Sequence, residues 1–369
     1  MFALFDAKEE IYRNMSLYKL SQCFLPDTSD ARRRSREIDA MLKRDRRMPP
    51  VVITLEGSDR GGISTFLKQM RLINGKEYNH KEVLEFREVI YDNIIQGMGV
   101  LVQERKKLGI PLHNSTNEMH EMLFESLDWR VTLEPCTFQP YVEAIDSLWK
   151  DSGIQEAHRR RSNFKLYESV KYFFNNIHRI GQLNYLPYNQ DILYACKVRE
   201  NLGDHYFELR DSPFTVIKGS VMRYILPKLG KYLDIDTPIF YIIGSSDYDK
   251  IFCGDNCLIQ SMNTFECLCN SKGLLNCPII LLFNKMDLLA EKIQTSDIRK
   301  HFPEFQGDPH RQEDVQEFLV QSFQKRKGNN SRNIFYHMTT AVDTENVRKV
   351  FESIKVDIIT CILKDSQLL

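Results

Sequence analysis

Apolar positions along this chain change period several times, and each change predicts a different kind of element. Residues 30–47 interleave eight arginines and lysines with Glu37, Asp39 and Asp45, leaving a narrow seam of Ile38, Met41 and Leu42. That spacing predicts a charged helix whose face is either solvated or turned to a partner or membrane, and Met48-Pro49-Pro50 ends it. Residues 51–55 are Val-Val-Ile-Thr-Leu, a β-branched run of the kind buried on both faces of a parallel sheet. A turn with glycines follows at 57–62, and residues 64–73 resume helical spacing. From about 82 to 190 helical periodicity recurs through 83–108, 118–127, 141–149 and 166–180, with few β-branched runs. Strand-like runs return at 214–217, 239–243, 279–283 and 334–339, separated by helical patterns at 256–270, 311–325 and 344–363.

Strands alternating with helices predict an α/β fold with a parallel sheet covered on both faces. The all-helical stretch predicts an insertion into it. The expected boundaries are an N-terminal helical extension over 1–50, an α/β domain from 51–80 and 194–369, and a helical insertion over 81–193.

Composition narrows the function. Fifty basic and fifty acidic residues cancel, which argues against nucleic acid, whose binders concentrate positive charge. The nine cysteines include Cys253/Cys257 and Cys267/Cys269, yet no second pair completes a zinc pattern, so reduced thiols in a cytosolic protein are expected. No run approaches the ~20 apolar residues of a membrane span. Read from its first residue, the chain has no signal-peptide core, and Phe2 stands where N-myristoylation needs glycine. A cytoplasmic protein is expected, with attachment at the inner face of the plasma membrane as the alternative.

The sharpest chemistry is Asn284-Lys285-Met286-Asp287, placed directly after a buried strand. Open α/β sheets bind ligands at that carboxyl end. Asp287 can accept from the N1–H and 2-amino group of guanine, which adenine cannot match. The stem of Lys285 can lie along the base, and Asn284 can tie neighbouring loops together. Thr339-Thr340-Ala341-Val342-Asp343-Thr344 follows the last strand, where the N–H of Ala341 is a donor for the guanine carbonyl. The plainer role of that segment is a helix N-cap by Thr340 or Asp343.

Further motifs agree. Residues 67–71 (Leu-Lys-Gln-Met-Arg), 148–153 (Leu-Trp-Lys-Asp-Ser-Gly), 184–187, 190–193 and 246–249, with 284–287, 339–344 and 363–365, resemble heterotrimeric G-protein α subunits, in order from about 35 to 369. The resemblance implies a Ras-like P-loop GTPase domain, an inserted all-helical domain, bound GTP or GDP, and a Gβγ dimer, a G-protein-coupled receptor and an effector as partners.

The phosphate end departs from that pattern. A P-loop reads G-x-x-x-x-G-K-[ST], its backbone N–H groups and lysine holding phosphates and its hydroxyl ligating Mg²⁺. Here the framing Gly57 and Gly62 and the hydroxyl Ser64 remain, Arg60 and Gly61 lie inside the loop, Thr65 follows it, and the lysine position is Ile63. Aligned on the family, the transition-state arginine falls on Cys196, the Mg²⁺-ligating threonine on Glu200, the metal-side aspartate on Lys218, the γ-phosphate glycine on Val221 and the water-orienting glutamine on Met222. No catalytic residue is therefore assigned, Ser64 alone is a metal candidate, and hydrolysis near the uncatalysed level is expected. Glu200 and Lys218 either pair across the vacant Mg²⁺ position or drifted independently. Residues 224–231 lack the family's tryptophan and contain Pro227 and Gly230, which puts switching in doubt. The tail at 362–369 keeps an apolar-ended helix of the kind receptors engage in that family, and Cys23 leaves room for palmitoylation. The readings stand in order: a nucleotide-binding subunit with little turnover, a pseudo-GTPase scaffold, a competent GTPase.

Overall fold

The computed structural model describes residues 53–56, 61–73, 75–125, 133–197, 205–209, 212–216, 239–252, 254–270, 278–327 and 333–365. In chain order the strands are β1 (Ile53–Glu56), β2 (His205–Leu209), β3 (Ser212–Val216), β4 (Ile239–Gly244), β5 (Ile251–Phe252), β6 (Asp255–Asn256), β7 (Ile279–Asn284) and β8 (Ile334–Met338). The first helices are α1 (Ile63–Ile73), α2 (His80–Lys107), α3 (Asn117–Glu125), α4 (Pro135–Lys150), α5 (Ser152–Arg159), α6 (Val170–Asn175), α7 (Ile177–Ile180) and α8 (Asn189–Tyr194). After β6 come α9 (Cys257–Cys269), α10 (Met286–Lys292), α11 (Gln312–Arg326) and α12 (Thr344–Asp365). The expected N-terminal helix lies outside the described residues.

Two compact units result. The described parts of Met1–Ile63, Leu202–Tyr248 and Cys257–Leu369 form one, and Ser64–Asn201 with Asp249–Asn256 the other.

The first unit is built on an all-parallel sheet in the order β1-β4-β7-β8. Every residue of β4 and β7 is buried, as expected of central strands covered on both faces. Alternate residues Ile239, Tyr241, Ile243, Ile279, Leu281 and Phe283 share a core with α9 and α11. Phe265 and Phe323 meet there at 5.4 Å between ring centroids. From the intervening positions, Phe240 reaches Phe351 of α12 at 6.3 Å. β2 and β3 form a separate antiparallel pair. Only the second of these strands was expected, because Glu208 interrupts the apolar run of the first.

The second unit is helical around α2, whose buried Phe86, Ile90, Tyr91, Ile94, Ile95, Met98, Leu101 and Val102 follow helical spacing. Asn79 and Glu82 form a capping box that starts α2 three residues before the apolar pattern becomes visible. The single helical stretch expected over 166–180 is broken at Asn176 into α6 and α7. Arg105 and Glu121, both buried, tie α2 to α3 at 2.8 Å.

Candidate functional site

β7 delivers the Asn284 motif to the carboxyl edge of the sheet, with Asn284 opposite Gly244 of β4 in the register. Asn284 is 2% exposed, and both ends of its amide are used. Its Nδ2 donates to Gly61 O at 2.9 Å, and its Oδ1 accepts from the N–H of Ala341 at 2.9 Å. One side chain thus joins the glycine turn, the end of β7 and the loop after β8. Sequence reasoning gave Asn284 this tying role. It also gave Ala341's N–H to the guanine carbonyl, whereas here that N–H is spent on Asn284.

The loop after β8 is fixed from several sides. Thr339 N donates to Phe283 O at 2.8 Å, and Met286 N donates to Thr339 O at 3.3 Å. Asn346 Oδ1 accepts from Thr340 N at 2.8 Å. Asp343 Oδ1 accepts from the N–H groups of Glu345 and Asn346, each at 3.0 Å, so Asp343 rather than Thr340 caps α12.

Lys285 sits at φ 65°, ψ 41°, the only non-glycine positive φ among the described residues. Residues held there concentrate at functional sites because the strain needs support from their surroundings. Its carbonyl accepts from Leu289 N at 2.9 Å, which begins α10. Its ammonium lies 3.7 Å from Asp247 Oδ2, both side chains being buried. Asp287 is exposed in the first turn of α10.

Gly62 has φ +102°, and a Cβ there would come within 2.2 Å of Asn284 Nδ2. The glycine turn therefore packs against Asn284 only because this position has no side chain. Gly57 and Arg60 lie outside the described residues. Ile63, at the family's lysine position, is 1% exposed at the start of α1.

In the helical unit, Ser64 and Thr65 are half-buried on α1. The Thr65 hydroxyl donates to Leu193 O at 3.3 Å. Lys68 Nζ donates to Ile192 O at 2.9 Å and also to Ala195 O. Cys196 is an exposed thiol whose backbone is clamped by fully buried Asn93: the amide accepts from Cys196 N at 2.7 Å and donates to Cys196 O at 2.8 Å. Glu200, Lys218, Val221 and Met222 lie outside the described residues, as do 224–231 and the last residues of the tail.

Sequence reasoning marked Asp247 only as part of the 246–249 motif, without its contact to Lys285, and missed Asn346 and Asn93. The further signal for Asp247 is its position, three residues past a buried strand at the same sheet edge as Asn284.

Comparison with known proteins agrees with this arrangement. A model of the G-protein alpha subunit family matches residues 32–359. Guanine nucleotide-binding protein subunit alpha-12 of Homo sapiens is 50% identical over 346 residues, covering 92% of this chain and 91% of that protein. Human subunit alpha-13 is 39% identical over 366 residues, covering 95% and 97%. The alpha-12 subunit of Caenorhabditis elegans is 35% identical over 340 residues, covering 90% and 96%. The parallel sheet ending in Asn284, the helical unit around α2 and relatives matched over nearly their whole length lead to one conclusion: this chain belongs to the G-protein alpha subunit family, with that family's Ras-like domain and helical domain.

Proposed function

We propose that this chain is a signalling alpha subunit that binds guanine nucleotide and hydrolyses GTP weakly or not at all. The observation that carries the reading is the double hydrogen bond of Asn284, which holds the three loops of the guanine end together in one unit. The residues there suit the base. Asp287 offers an exposed carboxylate to N1–H and the 2-amino group, and the stem of Lys285 offers apolar surface. A guanine carbonyl would compete with Asn284 for the N–H of Ala341.

The phosphate end fits less well. Buried Ile63 brings no charge to two or three phosphates, and the Thr65 hydroxyl is engaged with Leu193 O. Ser64 remains as the hydroxyl for Mg²⁺, with Gly57, Arg60, Gly61 and Gly62 supplying the loop. When bound, the nucleotide's γ-phosphate is what distinguishes one signalling state from the other. Cys196 and Met222 provide neither the positive charge nor the amide that hydrolysis in this family uses, so turnover stays low. The family relationship supports a Gβγ dimer, a G-protein-coupled receptor and an effector as partners. No helix among the described residues is long and apolar enough to cross a membrane, which suits peripheral attachment.

Calorimetry with GDP and a non-hydrolysable GTP analogue, with and without Mg²⁺, tests this reading. Both nucleotides are expected to bind, Asp287→Ala to abolish guanine-specific binding, and single-turnover assays to release no phosphate above background. An ordinary alpha-subunit hydrolysis rate would overturn the proposal. Buried Ile63 favours a second reading, a pseudo-GTPase scaffold, and a complete lack of nucleotide binding would select it.

A further inference from the structure

Asp247 follows β4 by three residues and is buried, with its side chain 3% exposed, beside a Lys285 side chain 10% exposed. Lys285 is fixed at its other end too. Its backbone is held in the left-handed region between Asn284, which bonds two other loops, and the first turn of α10. The room for Asp247 comes from Gly244: a Cβ on that glycine would lie 2.2 Å from Asp247 Oδ2. Gly244 has φ −78°, ψ 93°, a backbone that any residue adopts. Its small size therefore matters for the space it leaves to the carboxylate.

We infer that Asp247 is a positioning residue for the guanine base, acting through Lys285, and that Gly244 sets where its carboxylate can sit. The inference rests on the guanine-binding reading above. A lysine whose stem must lie along a base loses rotamer freedom on binding, and one already held at both ends has lost it beforehand. Releasing the far end should weaken base binding roughly tenfold, the equivalent of that side-chain entropy. A buried pair that merely neutralises charge would instead affect folding and leave affinity alone.

The test is calorimetry on the full chain with GDP, GMP and IDP, paired with melting temperatures without ligand. Asp247→Asn should weaken GDP and GMP by the same factor of roughly ten. It should leave the GDP-to-IDP ratio unchanged, since IDP lacks only the 2-amino group that Asp287 reads. Asp247→Glu should restore most of the affinity. Gly244→Ala should reproduce the loss, because its methyl displaces the tip of Asp247. If the wild type binds GDP and Asp247→Asn binds it equally while melting lower, the pair is structural and the inference fails. A loss for GDP without a loss for GMP places the effect at the phosphates and also overturns it. Should Asp247→Asn not fold, wild-type affinity in Gly244→Ala decides against the inference. A wild type that binds no guanine nucleotide removes both this inference and the function it rests on.

Discussion

Two positions in this molecule set sharp limits on what they tolerate. Gly62 combines a φ of +102° with a Cβ position 2.2 Å from Asn284 Nδ2, and that amide cannot retreat without losing Gly61 O. Gly62→Ala should therefore cost about 1–3 kcal/mol of stability and remove guanine-nucleotide binding. Urea unfolding and a thermal shift with GDP check the two effects separately. His158 sits against Trp149, ring centroids 5.1 Å apart, on the inner side of α5. Burial, with help from the charges of Arg161, Lys171 and Arg159, pushes its imidazole down to about 3. An unfolded histidine takes its proton near pH 6.5, so the folded state is favoured fully above that value. Its contribution fades by about 1.4 kcal/mol per pH unit as pH falls below 6.5. His158→Gln should flatten that slope in denaturation series at pH 7, 6 and 5, and parallel losses in the two proteins would rule the histidine out.

At the level of elements, short helices depend on one buried carboxylate. Asp191 of α8 is fully buried and accepts from Tyr172 at 2.7 Å, Tyr185 at 2.9 Å, the backbone N–H of Tyr188 at 2.9 Å and both terminal nitrogens of Arg179. Burial alone would raise its pKa, but Arg179, Tyr172 and Tyr188 outweigh it and hold the carboxyl below the usual range. Six-residue α6, four-residue α7 and six-residue α8 are too short to stand alone, so this cluster sets their packing. Asp191→Asn keeps the shape, strips the charge from Arg179's partner and should cost about 3 kcal/mol in chemical denaturation.

Which elements were legible follows the same logic. β4 and β7 are continuous apolar runs because both faces are covered, and the sequence pattern marks them within a residue. α4 starts six residues before the apolar pattern at 141–149, with Pro135 in its first turn and Pro140 inside the helix. The break between α6 and α7 was invisible: the Asn176 amide donates to Tyr172 O at 2.9 Å, a local bond that apolar spacing does not encode. The same divide separates the site residues. Asn284 to Asp287 are contiguous and legible, whereas Asp247 meets Lys285 only through sheet register, and Asn93 meets Cys196 across 103 positions.

For the molecule as a whole, the two units keep separate cores, one on the parallel sheet and one around α2. Chains with more than one core often unfold in more than one step, so a single melting temperature is a poor description of them. The proposed base-contacting residues Lys285 and Asp287, and Asn284 that ties their loops, all belong to the sheet unit, while His158 belongs to the helical unit. Calorimetric scans should therefore resolve two transitions that respond to different variables. Lowering pH from 7 to 5 should move the helical transition downward and His158→Gln should abolish most of that movement. Guanine nucleotide should raise the sheet transition by an amount set by mass action, about 2.7 kcal/mol at a hundredfold excess over Kd, and Asp287→Ala should remove the rise. A single transition that shifts equally with pH and with nucleotide would mean that the two units unfold as one, and would tie guanine binding to the helical core as firmly as to the strand that ends in Asn284.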